Sequence, residues 1–465
     1  MTDTVQDRPL AARASPPPSG RTRMLLEGPI VPVLLRLAWP NVAVMIAQSA
    51  VGLIETYFVG WLGTDALAGV ALVFPALMLM QMMSAGAIGG GISAAIARAL
   101  GGGKRAEAEV LVMQALVLSL ALGGIFSVLV LSFGPALYRA MGGAAGGALA
   151  AALLYSNVLF AGAPLLWLLN GLSSVLRGTG DMLTPALVTC GATLFLLVIS
   201  PALIIGWGPV PRLEVAGGAV AVLITYAAGS AVLAWTIARG RSLVRFRWRA
   251  ARPRWQPMRE ILRVGGFAAI NTVMTNLTIV MVTAMVGSFG AVAIAGYGIG
   301  SRLEYLLIPL VFGFGAPLVA LVGTNIGAGQ VERAQRSAWI GALLCFLITE
   351  AIGLAGAAFP AAWIGLFSPE PAVIAMGSLY LRWVGPLYGV FGGAMALYFA
   401  SQGAGRMVWP FTGGVLRFVV AVGGGWLAFR EFGAGPAGLF ALVGVGFLVF
   451  GATIVAAIAG GGWRR

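Results

Sequence analysis

The sequence predicts an all-α integral membrane protein, with twelve transmembrane helices in two six-helix lobes related by a pseudo-two-fold axis along the membrane normal. Composition, placement of charge and an internal repeat all point there. Of the 465 residues 59% are hydrophobic and 9% charged, against about 25% charged in soluble domains, and the mean hydropathy is +0.95. Apolar runs recur along the chain, each offering the roughly 20 helical residues needed to cross a bilayer. They show no polar–apolar alternation. Backbone groups in lipid must be bonded internally, so the runs are read as helices.

Residues 1–28, polar and rich in Pro and Arg, read as a disordered cytoplasmic tail rather than a cleavable leader. Hydropathy with Gly, Pro and charge punctuation places spans 1 to 6 at 32–61, 65–97, 107–136, 148–174, 183–207 and 214–238, an N-terminal lobe over 29–238. A basic linker, 239–263, mixes arginines with Phe246, Trp248 and Trp255. It reads either as a segment lying on lipid headgroups or as a solvated loop. Spans 7 to 12 fall at 264–288, 292–324, 337–364, 372–401, 408–429 and 436–460, a C-terminal lobe over 264–460 followed by a short cytoplasmic tail, 461–465. Pro75, Pro164, Pro201, Pro309, Pro317 and Pro386 predict kinks within spans.

Charge supports this count. With the N-terminus in the cytoplasm, 22 of the 29 basic residues fall on the cytoplasmic side and three (Arg139, Arg212, Arg430) outside, as the positive-inside rule requires. One missed span would invert the bias beyond it. The net charge of +14 therefore reflects topology and attraction to anionic lipid, not a nucleic-acid partner.

The repeat is read from three matches in the same order. Leu62 to Gly69 resembles Phe289 to Gly296 at an offset of 227, Gly101-Gly102-Gly103 matches Gly327-Ala328-Gly329 at 226, and Gly178 to Met182 matches Gly403 to Met407 at 225. The offset covers six helices, an even number, so both halves share one orientation.

Several chemistries are excluded. Without histidine, histidine-based metal sites and Ser-His-Asp catalysis are out. Cys190 and Cys345 lie in apolar runs and read as packing residues. Neither a cofactor nor a bound metal is expected, and no ATPase domain is present to drive a pump.

An ionisable group inside a span is a functional candidate. Asn41, Gln48 and Glu55 are spaced by seven and line one face of span 1; Glu55 there can bind and release a proton. Glu304 in span 8 has Tyr297 on the same face and reads as a second ion-coupling group or as half of a structural ion pair. Glu350 reads as structural. Met78 and Met82, near Gln81, suit a surface that accepts varied ligands, or are ordinary core methionines. Asn157 and Asn170 in span 4, and Asn271 and Asn276 in span 7, read as cavity-lining groups or interhelical hydrogen bonds. Arg382 and Arg417 read as snorkelling, or as partners of Glu304 or Glu350.

A family resemblance rests on further residues. Glu55-Thr56 with Gly60 and Gly63, Ala66-Leu67-Ala68, Arg177-Gly178-Thr179-Gly180-Asp181, Val215 to Ala219, and Gly323 to Gly329 with Arg333-Ala334 together resemble the multidrug and toxic compound extrusion (MATE) family. The resemblance runs from about Leu35 to Trp409. It implies two lobes around a central cavity and multidrug efflux of hydrophobic, often cationic, organic compounds by an antiporter working through alternating access. The family's span 1 acid is usually Asp, where Glu55 stands, and Leu196 and Ser200 stand where many members carry Asn and Asp. With few hard oxygen ligands left for Na⁺, H⁺ is the expected coupling ion and Na⁺ the alternative. The nearest rival is a flippase for a lipid-linked precursor; an intramembrane enzyme or a channel lacks the catalytic cluster or filter it would need. The expected partners are small organic substrates and the bilayer. The expected location is the inner (plasma) membrane of a prokaryote, with the chain acting as a monomer.

Overall fold

In the computed structural model, residues 19–141, 146–207, 211–247 and 252–463 are described, the side chains of 46–56 and 305–306 excepted. The described chain is helical throughout. Span 1 is Ile30–Gly60, span 2 Thr64–Gly101, span 3 Arg105–Ala140 and span 4 the pair Gly147–Ala161 and Ala163–Gly178, bent by 49°. Span 5 is Leu183–Ile205, span 6 Glu214–Ala238, span 7 Trp255–Gly287, span 8 Ala291–Gly327 and span 9 Val331–Ala358. Spans 10 to 12 are Pro371–Ala404, Val408–Phe432 and Pro436–Ala459. The bend in span 4 follows from its sequence: Gly162 ends one helix, and Pro164, which has no N–H to give, sits in the first turn of the next.

The duplication is visible in the backbone. Gly63 and Gly290 both precede a span with φ near +105° (108° and 102°), and Gly180 and Gly405 turn at φ 80° and 73°. Each pair is one of the sequence matches. Both turns need a left-handed backbone that glycine adopts without a Cβ penalty.

The lobes meet where spans 2 and 8 cross. A Cβ on Gly101 would lie 2.0 Å from the Thr324 carbonyl oxygen, and one on Gly327 2.0 Å from that of Arg98. These glycines are repeat equivalents, so the crossing is backbone against backbone on the pseudo-two-fold axis. Beside it Arg98 pairs with Glu260 at 2.9 Å and donates to the Gly403 carbonyl at 2.9 Å. These contacts lie at the arginine-rich end of the bundle. Toward the other end Tyr57 and Trp61 of span 1 and Phe74 of span 2 are exposed.

Two expectations about the connections are corrected. Part of the supposed disordered tail is ordered: Gly20–Glu27 is a helix, capped by Ser19, while residues 1–18 lie outside the description. It holds because Leu25 is buried with Val33, Leu37 and Met182 of one lobe and Ala320 and Leu321 of the other. Arg21 pairs with Asp181 at 3.0 Å, Asn325 donates to the Leu25 carbonyl at 3.1 Å, and Arg333 to that of Gly28. The helix therefore straps both lobes together at the arginine-rich end. The linker is shorter than 239–263, since span 7 begins at Trp255. Gln114 of span 3 holds it through the Arg252 carbonyl and the Arg254 N–H, both at 3.0 Å. At the C-terminal tail, Trp463 is buried against the second lobe.

Candidate functional site

Between the lobes, at the arginine-rich end, lies a cavity of about 60 Å³. That is room for a few waters, well short of the roughly 300–1,000 Å³ of a drug-sized site. Its walls follow the duplication. Gly86, Gly90 and Ser93 of span 2 face Phe312, Ala316 and Val319 of span 8, their equivalents at an offset of 226. Ser174 and Arg177 of span 4 face Phe399 and Gln402 of span 10, their equivalents at 225. The cavity thus sits on the pseudo-two-fold axis, yet its halves differ in chemistry. The N-terminal wall is small and polar, with Asn41 added and Arg177 its charged member. The C-terminal wall is apolar and aromatic, with Phe312 edge-on to Phe399 at 5.0 Å.

Local structure sets these side chains. Span 2 widens into a π stretch over Met82–Ile88, a feature common at functional sites. There the Gly86 and Ala87 carbonyls accept from Gln402 Nε2 at 3.1 and 3.3 Å, across the lobe boundary. Gly90 leaves room for that amide: a Cβ there would fall 2.3 Å from Gln402 Nε2 and displace it. Gln402 is fully buried, and its Oε1 has no partner among the described residues. Arg177 Nε is buried and unpartnered in the same sense. In the Arg177-Gly178-Thr179-Gly180-Asp181 turn the two charged residues part: Asp181 caps span 5 through Thr184 at 3.1 Å and binds Arg21, while Arg177 lines the cavity.

A second polar cluster is buried in the C-terminal lobe. Glu304 accepts from the Tyr380 hydroxyl and from that of Tyr388 at 3.4 Å. Arg417 is near enough to act on Glu304 electrostatically, and its guanidinium stacks over Phe447 and Phe391 at 4.8 and 5.3 Å. Tyr297 meets Tyr380 edge-on at 5.1 Å. Arg302 turns away, over Phe367, and Arg382 is exposed. Glu350 accepts from the Gly389 N–H at 2.7 Å. It holds the backbone beside the break in span 10 at Gly385–Leu387.

The remaining candidates scatter. The side chains of Glu55 and Gln48 lie outside the described residues. Asn41 is buried and donates to the Leu37 carbonyl at 3.2 Å. Asn170 donates to Ser84 Oγ at 2.7 Å, joining spans 4 and 2. Asn276 donates to the Thr272 carbonyl at 2.9 Å and reaches Met82 Sδ of the other lobe at 3.9 Å. Asn271 is buried and bonded to Tyr398. Asn157 and Met78 are exposed. Among the described residues no group of three or more Cys, Asp and Glu comes together as a metal site. Sequence reasoning missed Arg177 and Gln402 as cavity residues, although the 225 offset that pairs them was legible. It also missed Tyr380 and Tyr388 around Glu304.

Comparison with known proteins agrees with this architecture. The MatE family model matches residues 40–202 and 268–427, one stretch in each lobe. An FAD transporter of Shewanella oneidensis is 30% identical over 371 residues, 79% of this chain and 81% of that protein. A probable multidrug resistance protein NorM of Thermotoga maritima is 30% identical over 356 residues, 76% of this chain and 75% of its own length. A crystal structure of MATE in the bent conformation superposes with a TM-score of 0.86 at 25% identity, covering 97% of each chain.

Proposed function

The chain belongs to the MatE family, and on that footing we propose that it is a proton-coupled antiporter that exports organic compounds by alternating access. That it is a multi-pass membrane transporter of the multidrug-efflux type, and not an enzyme, follows from the family. The proposal concerns coupling, sidedness and cargo.

One observation carries it. The lobes are joined at one end, by the Gly101–Gly327 crossing, the Arg98–Glu260 pair and the strap helix, across a cavity too small for cargo. Two rigid repeats joined at one end about a shared axis are the geometry of rocking transporters. The arginine-rich end is assigned to the cytoplasm by the positive-inside rule, which makes this the state closed to the cytoplasm. Opening it requires breaking the joined end and widening the cavity.

Coupling is assigned to Glu55 in span 1, with Glu304 as a second site. Protonation of Glu55 changes the charge on the span that carries Asn41 to the cavity, and so changes the affinity for cargo. Cargo is organic. Relatives named for multidrug resistance and for FAD transport support a broad organic cargo. The test is transport in proteoliposomes under separately imposed H⁺ and Na⁺ gradients. Export driven by H⁺ alone is expected. Export that follows Na⁺ and ignores H⁺ would overturn the coupling ion, and no gradient-driven export of any organic probe would overturn the exporter reading.

A further inference from the structure

We infer that the cavity between the lobes is the subsite for the anionic group of an amphipathic organic cargo, with the Arg177 guanidinium as its counter-charge and Asn41 and Gln402 as neutral partners. This rests on the exporter reading and names its substrate class.

Arg177 carries five N–H donors and a charge that is never lost. Nearby arginines at the lobe junction are matched: Arg98 with Glu260 and the Gly403 carbonyl, Arg21 with Asp181, Arg333 with the Gly28 carbonyl. Among the described residues Arg177 has no carboxylate within ion-pairing distance, and its Nε is buried without an acceptor. Its place in the last turn of span 4 gives partial compensation from the helix dipole. An ordinary last-turn arginine completes its solvation in water, whereas this one lines an interlobe cavity. Arg177 is half-buried, and its desolvated Nε without an acceptor carries an unfavourable cost that an anion in the cavity would offset.

Gln402 is the independent second observation. It is the repeat equivalent of Arg177 and fully buried, and it spends its Nε2 on the Gly86 and Ala87 carbonyls while Oε1 stays unpartnered. The duplication therefore placed one side chain from each lobe at the cavity, and only one is charged. A charge on one side alone suits an oriented ligand. The opposite wall, Phe312 and Phe399, suits an apolar or aromatic body. In the closed state the cavity holds only the anionic group; the body enters as the lobes part. The same anion chemistry is offered by a lipid phosphate, and the test separates the two.

The probes are flavin mononucleotide, an aromatic ring bearing a phosphate, and ethidium, an aromatic cation, both assayed with the full-length protein in proteoliposomes. Wild type is expected to export flavin mononucleotide. Arg177→Gln should lower that rate at least tenfold and leave ethidium within twofold, and Arg177→Lys should recover most of the loss. Gln402→Glu, which supplies Arg177 with a carboxylate of its own, should also depress flavin mononucleotide selectively. Equal loss of both probes in these variants would make Arg177 structural and overturn the subsite, as would an unchanged flavin rate in Arg177→Gln. Ethidium export without flavin export by wild type would sink the subsite and leave the exporter standing; export of neither would remove both. Binding of flavin mononucleotide in nanodiscs should be equal in phosphatidylcholine and phosphatidylglycerol. Loss of binding in phosphatidylglycerol alone would assign Arg177 to a lipid headgroup instead.

Discussion

The two lobes descend from one repeat, yet their buried polar groups have diverged. In the C-terminal lobe Glu304 is held by two tyrosine hydroxyls with Arg417 close by. In the N-terminal lobe the buried Gln81 Oε1 and Ser200 Oγ have no partner among the described residues, and the lobe's acid stands on a different helix: Glu55 is in span 1, whereas Glu304 is in span 8, the equivalent of span 2. At an offset of 226 Glu304 corresponds to Met78. Buried polar atoms without a partner among the described residues occur in the C-terminal lobe too, at Asn325 Oδ1, Arg333 Nε and Gln402 Oε1, so the contrast lies in the acids themselves: Glu304 is held by hydroxyls of its own lobe. Satisfied networks rigidify, which holds Glu304 in place and leaves the proposed coupling role to Glu55.

The largest effect that would break this contrast is on stability. Glu304→Ala leaves Arg417 and two hydroxyls unmatched and should cost about 3–5 kcal/mol, the usual price of breaking a buried charge network; Glu55→Ala should cost clearly less. Thermal unfolding of the detergent-solubilised variants reads this directly, and equal losses would erase the distinction. Where the lobes have not diverged they should behave alike. Gly101→Leu and Gly327→Leu each push a side chain into the facing carbonyl, so each should cost about 1–3 kcal/mol as overpacking. Each should also lengthen distances across the arginine-rich end in spin-label measurements, and a response from one alone would contradict a crossing on the axis. The smallest effect is at the strap. Arg21→Ala removes a pair that is 39% exposed on the arginine side, worth about 0.2–1 kcal/mol. Its mark should be a modest rise in cytoplasmic-end opening rather than a loss of folding.

The helices and the repeat could be read in the sequence, because hydropathy and glycine turns are local signals repeated at one offset. Contacts between distant segments could not. The strap helix is held by distant partners, among them Asn325 and Arg333, some 300 residues on, which donate to the Leu25 and Gly28 carbonyls, so its polar sequence read as disordered. Arg177 lay within a recognised turn motif and read as part of that turn. Only the folded chain shows that Asp181 makes the turn and Arg177 faces the cavity. Tyr380 and Tyr388 join Glu304 through the packing of spans 8 and 10, which no spacing along either helix announces.

The most direct test of the account is H⁺-driven export by Glu55→Gln and Glu304→Gln beside wild type, using whichever of ethidium and flavin mononucleotide the wild type exports. The account predicts that Glu55→Gln still binds the probe but no longer exchanges it for protons, and that Glu304→Gln slows exchange without abolishing it. Wild-type exchange by Glu55→Gln would contradict it.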